Sequence, residues 1–261
     1  GKRTKESVAE GIDALDRAIA LDPKLALAYS KRAFAHMFST DFGADWNTSM
    51  AAALADAKKA FDLDPQNAVV IATYGNFLFQ TAGQLADADA MFRKALAIHK
   101  DDSFVLCIAA ASMPYTGHPE EAVIYADRQR AIDPHAAPAL ISCPMDAYFF
   151  ARRFETAAEV AALVLPESRA PYQRFMHAAS LAFLGRDAEA DAAAQLFLDA
   201  RPGVTAQSYF IEGWYFAREQ ERKLFFDGFR ALKLPMCATA EQLKLIAKPE
   251  PLPECPAGAG G

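Results

Sequence analysis

Apolar and polar positions along this chain recur with the spacing of helices rather than strands. Leu15, Ala18 and Ile19, and again Leu54, Ala57 and Phe61, lie three and four residues apart, which puts each set on one helical stripe. The stripes end in a shared phrase, seen in Ala18-Ile19-Ala20-Leu21-Asp22-Pro23, in Ala60-Phe61-Asp62-Leu63-Asp64-Pro65 and in Ala131-Ile132-Asp133-Pro134. Proline pushes the residue before it out of the helical region, so Asp-Pro stops each helix. The proline and nearby Asp or Asn can then start the next one.

The phrase sits inside a longer period. Segments ending in Ala88, Ala122, Ala157 and Ala190 can be aligned, and these alanines are 34, 35 and 33 residues apart. Ala53 precedes Ala88 by 35 residues, and Gly11 holds the same place 42 residues before Ala53. Seven residues beyond these anchors come Ala18, Ala60, Ala95, Gln129, Val164 and Phe197. A period of this length holds two helices and two turns. Alanine at the anchors lets helix axes approach closely, and each unit must bury its apolar stripe against its neighbours.

The expected fold is therefore all-α, a right-handed α-solenoid of stacked helix-turn-helix units with a C-terminal capping helical pair. The array is expected over residues 1–203, about five and a half units with the first truncated. Capping helices follow over 204–247, where Tyr209, Phe210, Trp214, Phe216, Leu224, Phe225, Phe229 and Leu232 sit at helical spacing. Residues 248–261, rich in Pro and Gly, are expected to be a disordered tail. Two irregularities stand out: an insertion over 39–49 carrying Phe42, Gly43 and Trp46, and Pro144, which should kink or shorten its helix.

The anchors resemble the tetratricopeptide repeat family, whose unit has an aromatic or apolar residue early in its first helix and a small residue four later. Tyr29 with Ala33, Ile71 with Gly75, and Leu106 with Ala110 match that pair. A narrower resemblance, carried by Ala18 to Tyr29 (AIALDPKLALAY), the insert around Trp46, and Gly228 to Pro235, is to the C-terminal repeat region of bacterial class III adenylate/guanylate cyclase-type signalling proteins. That likeness implies a non-catalytic interaction or regulatory module, with any cyclase domain upstream of residue 1. The alternative is a free-standing bacterial scaffold for protein assembly or trafficking.

Composition narrows the field. A chain 52% hydrophobic can build a core, and its net charge of −6 opposes binding to phosphate backbones, so nucleic acid is not an expected partner. No run of 18 apolar residues is present, and no signal peptide follows the basic first residues, so no direct membrane insertion is expected. The cytoplasm is the expected location, with the periplasm as alternative if a transmembrane segment lies upstream. Cys107, Cys143, Cys237 and Cys255 show no CxxC spacing, which favours reduced thiols over disulfides or zinc.

Catalytic motifs are not found: no phosphate-cradling glycine loop, no nucleophile elbow, no HExxH. Asp87 with Asp89 and Glu120 with Glu121 fall in first turns of second helices, where they complement the helix dipole. No enzyme activity, cofactor or metal is expected.

In the tetratricopeptide repeat family the first helices line a concave face. Carried onto this chain, the resemblance points to a groove formed by Phe34, Met37, Asn76, Phe79, Phe104, Met145, Tyr148, Met176 and Phe183. The basic positions of the family's carboxylate clamp hold Ser30, Phe104 and Ile108 instead, so a chaperone-tail adaptor is excluded. An uncharged face rich in aromatics and methionine suits a protein or peptide with an apolar or amphipathic segment, and a homodimer is also possible.

Overall fold

The computed structural model describes residues 4–135, 140, 142–165, 170–210, 215–244 and 250–255, and among them there are helices and turns but no strands. Second helices of the repeat units are α1 (Lys5–Leu21), α3 (Trp46–Leu63), α5 (Leu85–Ile98), α7 (Pro119–Ile132), α9 (Phe154–Val164) and α11 (Asp187–Ala200). First helices are α2 (Ala26–Ser39), α4 (Ala68–Ala82), α6 (Ser103–Ser112), α8 (Pro144–Phe150) and α10 (Pro171–Phe183). Among the described residues the stack opens on a second helix, α1, which packs on α2, and five hairpins follow.

Local chemistry sets the boundaries. Asn67 accepts from the backbone N–H of Val69 and Val70 at the start of α4, and Asp102 accepts from Val105 N–H at the start of α6. Where first helix turns into second, Gly83, Gly117 and Gly185 take left-handed backbone angles. Arg152 holds the same place in the α8–α9 turn with φ of 59°, a conformation that glycine adopts at far lower cost. Pro144 does shorten its helix: it occupies the first turn of α8, which runs for only 7 residues. The insertion forms a short 3-10 turn, Thr40–Phe42, and a left-handed Gly43 before Asp45 caps α3.

The repeat anchors are packed as the spacing requires. Ala53, Ala88, Ala122 and Ala157 have no exposed surface and Ala190 has 2%. Gly75 on α4 lies against Met91 and Phe92 of α5, so close that an added Cβ would stand 2.9 Å from atoms of both.

Beyond α11 the chain continues as α12 (Ala206–Phe210), an irregular strip Tyr215–Arg218, α13 (Glu219–Ala231) and α14 (Ala240–Leu243). α13 lies on α10, with Gly228 making room for Phe175 and Ala179. The Phe175 ring gathers Phe197, Tyr209, Phe225 and Phe229 within 4.6–6.1 Å. Residues 211–214 and 245–247 of the expected cap, and 248–249 and 256–261 of the expected tail, lie outside the described residues.

Two expectations are corrected. The part of the tail over 250–255 is held in place: Leu252 is buried, the Glu250 carbonyl accepts from Gln207 Nε2 at 2.7 Å, and Glu254 pairs with Arg230. The cysteines are not free thiols. Cys107 pairs with Cys143 and Cys237 with Cys255, at Cα separations of 5.1 and 5.3 Å. The first pair is 36 residues apart, about one repeat, so stacking brings the two positions side by side in neighbouring units.

Candidate functional site

First helices of adjacent units contact one another, α2 with α4, α4 with α6, α6 with α8 and α8 with α10, whereas second helices barely do. The first helices therefore form the inner, concave layer.

The candidate residues divide along this face. At its N-terminal end Phe34, Met37 and Phe104 are half-buried. The Phe34 ring lies 5.6 Å from Phe104 and 5.2 Å from Phe77, and Met37 packs on the cluster of Ala33, Met50 and Phe77. Asn76 is buried between α4 and α6. Its Oδ1 accepts from Gln80 at 2.9 Å and Ser112 at 3.3 Å, while its Nδ2 has no partner. Toward the C-terminal end the face is not open. Met145 and Met176 are fully buried, and Phe79 is buried against the Tyr115 ring at 5.3 Å. Tyr148 turns outward: its hydroxyl donates to Asp127, and Arg130 of α7 lies over its ring at 5.7 Å. Phe183 is half-buried, stacked on Phe154 at 4.6 Å. Among the described residues, the nine do not share one open groove, since Phe79, Met145, Tyr148 and Met176 are buried.

A later strip of the chain itself packs on the turn ends of these helices. The Phe216 ring sits 5.1 Å from Tyr115 and 5.5 Å from Phe150. Ala217 N–H donates to the Tyr115 carbonyl at 2.8 Å, and Arg218 Nη1 donates to the Gly117 carbonyl at 3.0 Å. Tyr215 rests against Gly83, where a Cβ would come within 2.9 Å of its ring. The strip thus spans the turns of the second and third complete hairpins before α13 returns along α10. These contacts join residues about a hundred positions apart and carry no periodic signal.

Beneath the strip lies a polar cluster. The buried Asp146 carboxylate accepts from Tyr115 at 2.8 Å and from Tyr172. Burial pushes its pKa up to about 7 against the lowering effect of those two hydroxyls. Burial also raises both tyrosines well above their ordinary range. On the outer face, Asp89 and Glu121 both bind Arg93, at 2.7 and 2.9 Å, which gives these acidic residues a structural part. Among the described residues no group of three His, Cys, Asp or Glu side chains is placed to hold a metal, and no helix is long and apolar enough to cross a membrane.

No protein-family model matches the chain, and no curated protein matches it. Solved structures do. The Cut9–Hcn1 hetero-tetramer of the APC/C is similar with a TM-score of 0.57 at 12% identity, over 85% of this chain and 40% of that one. The match therefore spans 40% of the length of that protein. TTC0263, a thermophilic TPR protein of Thermus thermophilus, gives a TM-score of 0.49 at 16% identity, covering 72% of this chain and 92% of that one. Pseudomonas aeruginosa PilF gives 0.49 at 17% identity, covering 92% and 98%. The fold is of the tetratricopeptide-repeat type, an α-solenoid.

Proposed function

We propose that this chain is a non-catalytic interaction scaffold whose inner face takes an apolar or amphipathic segment of a partner protein. One observation carries the reading: the turns that border that face, and α10 within it, already hold such a segment, the chain's own Tyr215–Arg218 strip and α13. Elsewhere on the first helices, the stretch around Phe34, Met37 and Phe104 is apolar and half-buried. The sequence resemblance at Ala18–Tyr29, Trp46 and Gly228–Pro235 supports a place as the regulatory C-terminal region of a cyclase-type signalling protein. A free-standing scaffold is the alternative, and the mass of the native chain separates the two. The paired cysteines favour an oxidising setting such as the periplasm over the cytoplasm.

The test is site-specific photo-crosslinking in cells, with the reactive group placed at Met37 or Phe104, and at Ile124 on α7 as an outer-face control that is 63% exposed. A defined protein attached from 37 and 104 but not from 124 is the expected result. Equal crosslinking from both faces, or none from the inner one, would sink the reading.

A further inference from the structure

We propose that the Tyr215–Arg218 strip is a displaceable occupant of a peptide site, and that the site takes a partner's extended segment carrying an aromatic residue followed two positions later by a basic one. The proposal rests on the inner face being a protein-binding surface and specifies what part of that surface reads.

The seat is built from the turns. Gly117, at φ of 94°, offers its carbonyl to the Arg218 guanidinium, and an added Cβ there would stand 3.2 Å from Arg218 Cδ. The Tyr115 carbonyl takes a backbone N–H, so it would take one from any extended chain laid in the same place. The Tyr115 and Phe150 rings flank one aromatic side chain.

Charge fixes the second requirement. Arg218 Nη2 donates to Glu221 Oε1 at 2.7 Å, and Glu221 is 1% exposed with its Oε2 unpartnered. Burial raises the pKa of this carboxyl, and Arg218 opposes the shift. If Arg218 leaves, a buried acid is stranded unless another cation replaces it, so an incoming segment must bring its own.

Depth of seating separates the strip from the cap. Phe225 and Phe229 on α13 have no exposed surface and Leu224 has 2%, whereas Tyr215 is 41% exposed and Phe216 only half-buried. One main-chain hydrogen bond, one guanidinium hydrogen bond to a carbonyl and one ring can be exchanged like for like while α13 stays in the core.

The probe is a labelled synthetic decapeptide with the sequence of residues 213–222, titrated by fluorescence anisotropy against the full chain and against a Phe216→Ala, Arg218→Ala variant. The emptied variant is expected to bind at least about tenfold more tightly than the natural chain, and replacing the peptide's own arginine by alanine should remove most of that gain. A folded variant that ignores the peptide, or a natural chain that binds it equally well, overturns the proposal. A dimer of the natural chain that disappears with Phe216→Ala would assign the site to a second copy, and it too would overturn it. Should the variant not fold, hydrogen exchange on the natural chain decides: the Ala217 amide should exchange far faster than those of Phe225 and Phe229, and equal protection refutes displacement. Crosslinks from 37 and 104 that persist when the peptide fails would leave the scaffold reading intact and remove only this inference.

Discussion

Gly75 of α4 and Met91 of α5 approach so closely that a methyl group on Gly75 would lie 2.9 Å from the Met91 Cβ. Gly11 on α1 has nothing within 4 Å of the same added atom. The two glycines should respond to alanine in opposite directions. Gly75→Ala is expected to cost about 1–3 kcal/mol through overpacking. Gly11→Ala should gain about 0.5–1 kcal/mol from helix propensity. Urea midpoints measured side by side check both, and losses of equal size would contradict the repeat phase.

Arg152 stands where three other hairpins place glycine. It is exposed, and its backbone is left-handed. Arg152→Gly should raise stability by about 1 kcal/mol, less the greater freedom that glycine gives the unfolded chain. Thermal melts that move downward would show that the arginine has a contact worth more than the backbone strain.

Asp146 predicts a pH dependence of definite sign. Its folded carboxyl titrates at about 7, above the ordinary value of 3.8. Between those pH values the folded chain keeps a proton that the unfolded chain has released, so stability falls as pH rises through this window. Asp146→Asn should flatten that slope and leave the variant about 2–4 kcal/mol more stable relative to the natural chain at pH 8 than at pH 4. Denaturant unfolding at the two pH values measures it, and an unchanged slope would assign the dependence to other groups.

The cysteine pairing is open to a mass measurement. Alkylation of the unfolded, unreduced chain should label none of the four cysteines, and prior reduction should expose all of them. Loss of the Cys107–Cys143 tie between neighbouring units should lower stability by about 2–4 kcal/mol. Free thiols in a chain isolated under oxidising conditions would refute the pairing.

The periodic part of this structure could be read in the sequence, and the aperiodic part could not. Ala88, Ala122, Ala157 and Ala190 declare their packing because the same contact recurs every turn of the array. The contact of Phe216 with Tyr115 occurs once, between residues that share no repeat position, and nothing in the local pattern marks it. The candidate groove residues fall on first helices as the repeat phase requires, yet helix position alone does not say what lies above Met145 or Met176. Tyr148 shows a further limit: its phenol meets Asp127 and Arg130 on the neighbouring helix, and so faces away from the groove. A usable sign was present in Cys107 and Cys143, whose separation of about one period is itself a stacking signal.

The bond from Arg218 to the Gly117 carbonyl crosses 101 residues of sequence. An array whose units touch only their neighbours can fray one hairpin at a time from either end. While it is seated, the strip fastens the C-terminal helices to the turns at Gly83 and Gly117, so the hairpins between cannot then peel away singly. The spring has been closed into a loop: the units from α4 to α13 should melt as one cooperative block, while α1, α2 and α3, outside the loop, remain free to open first.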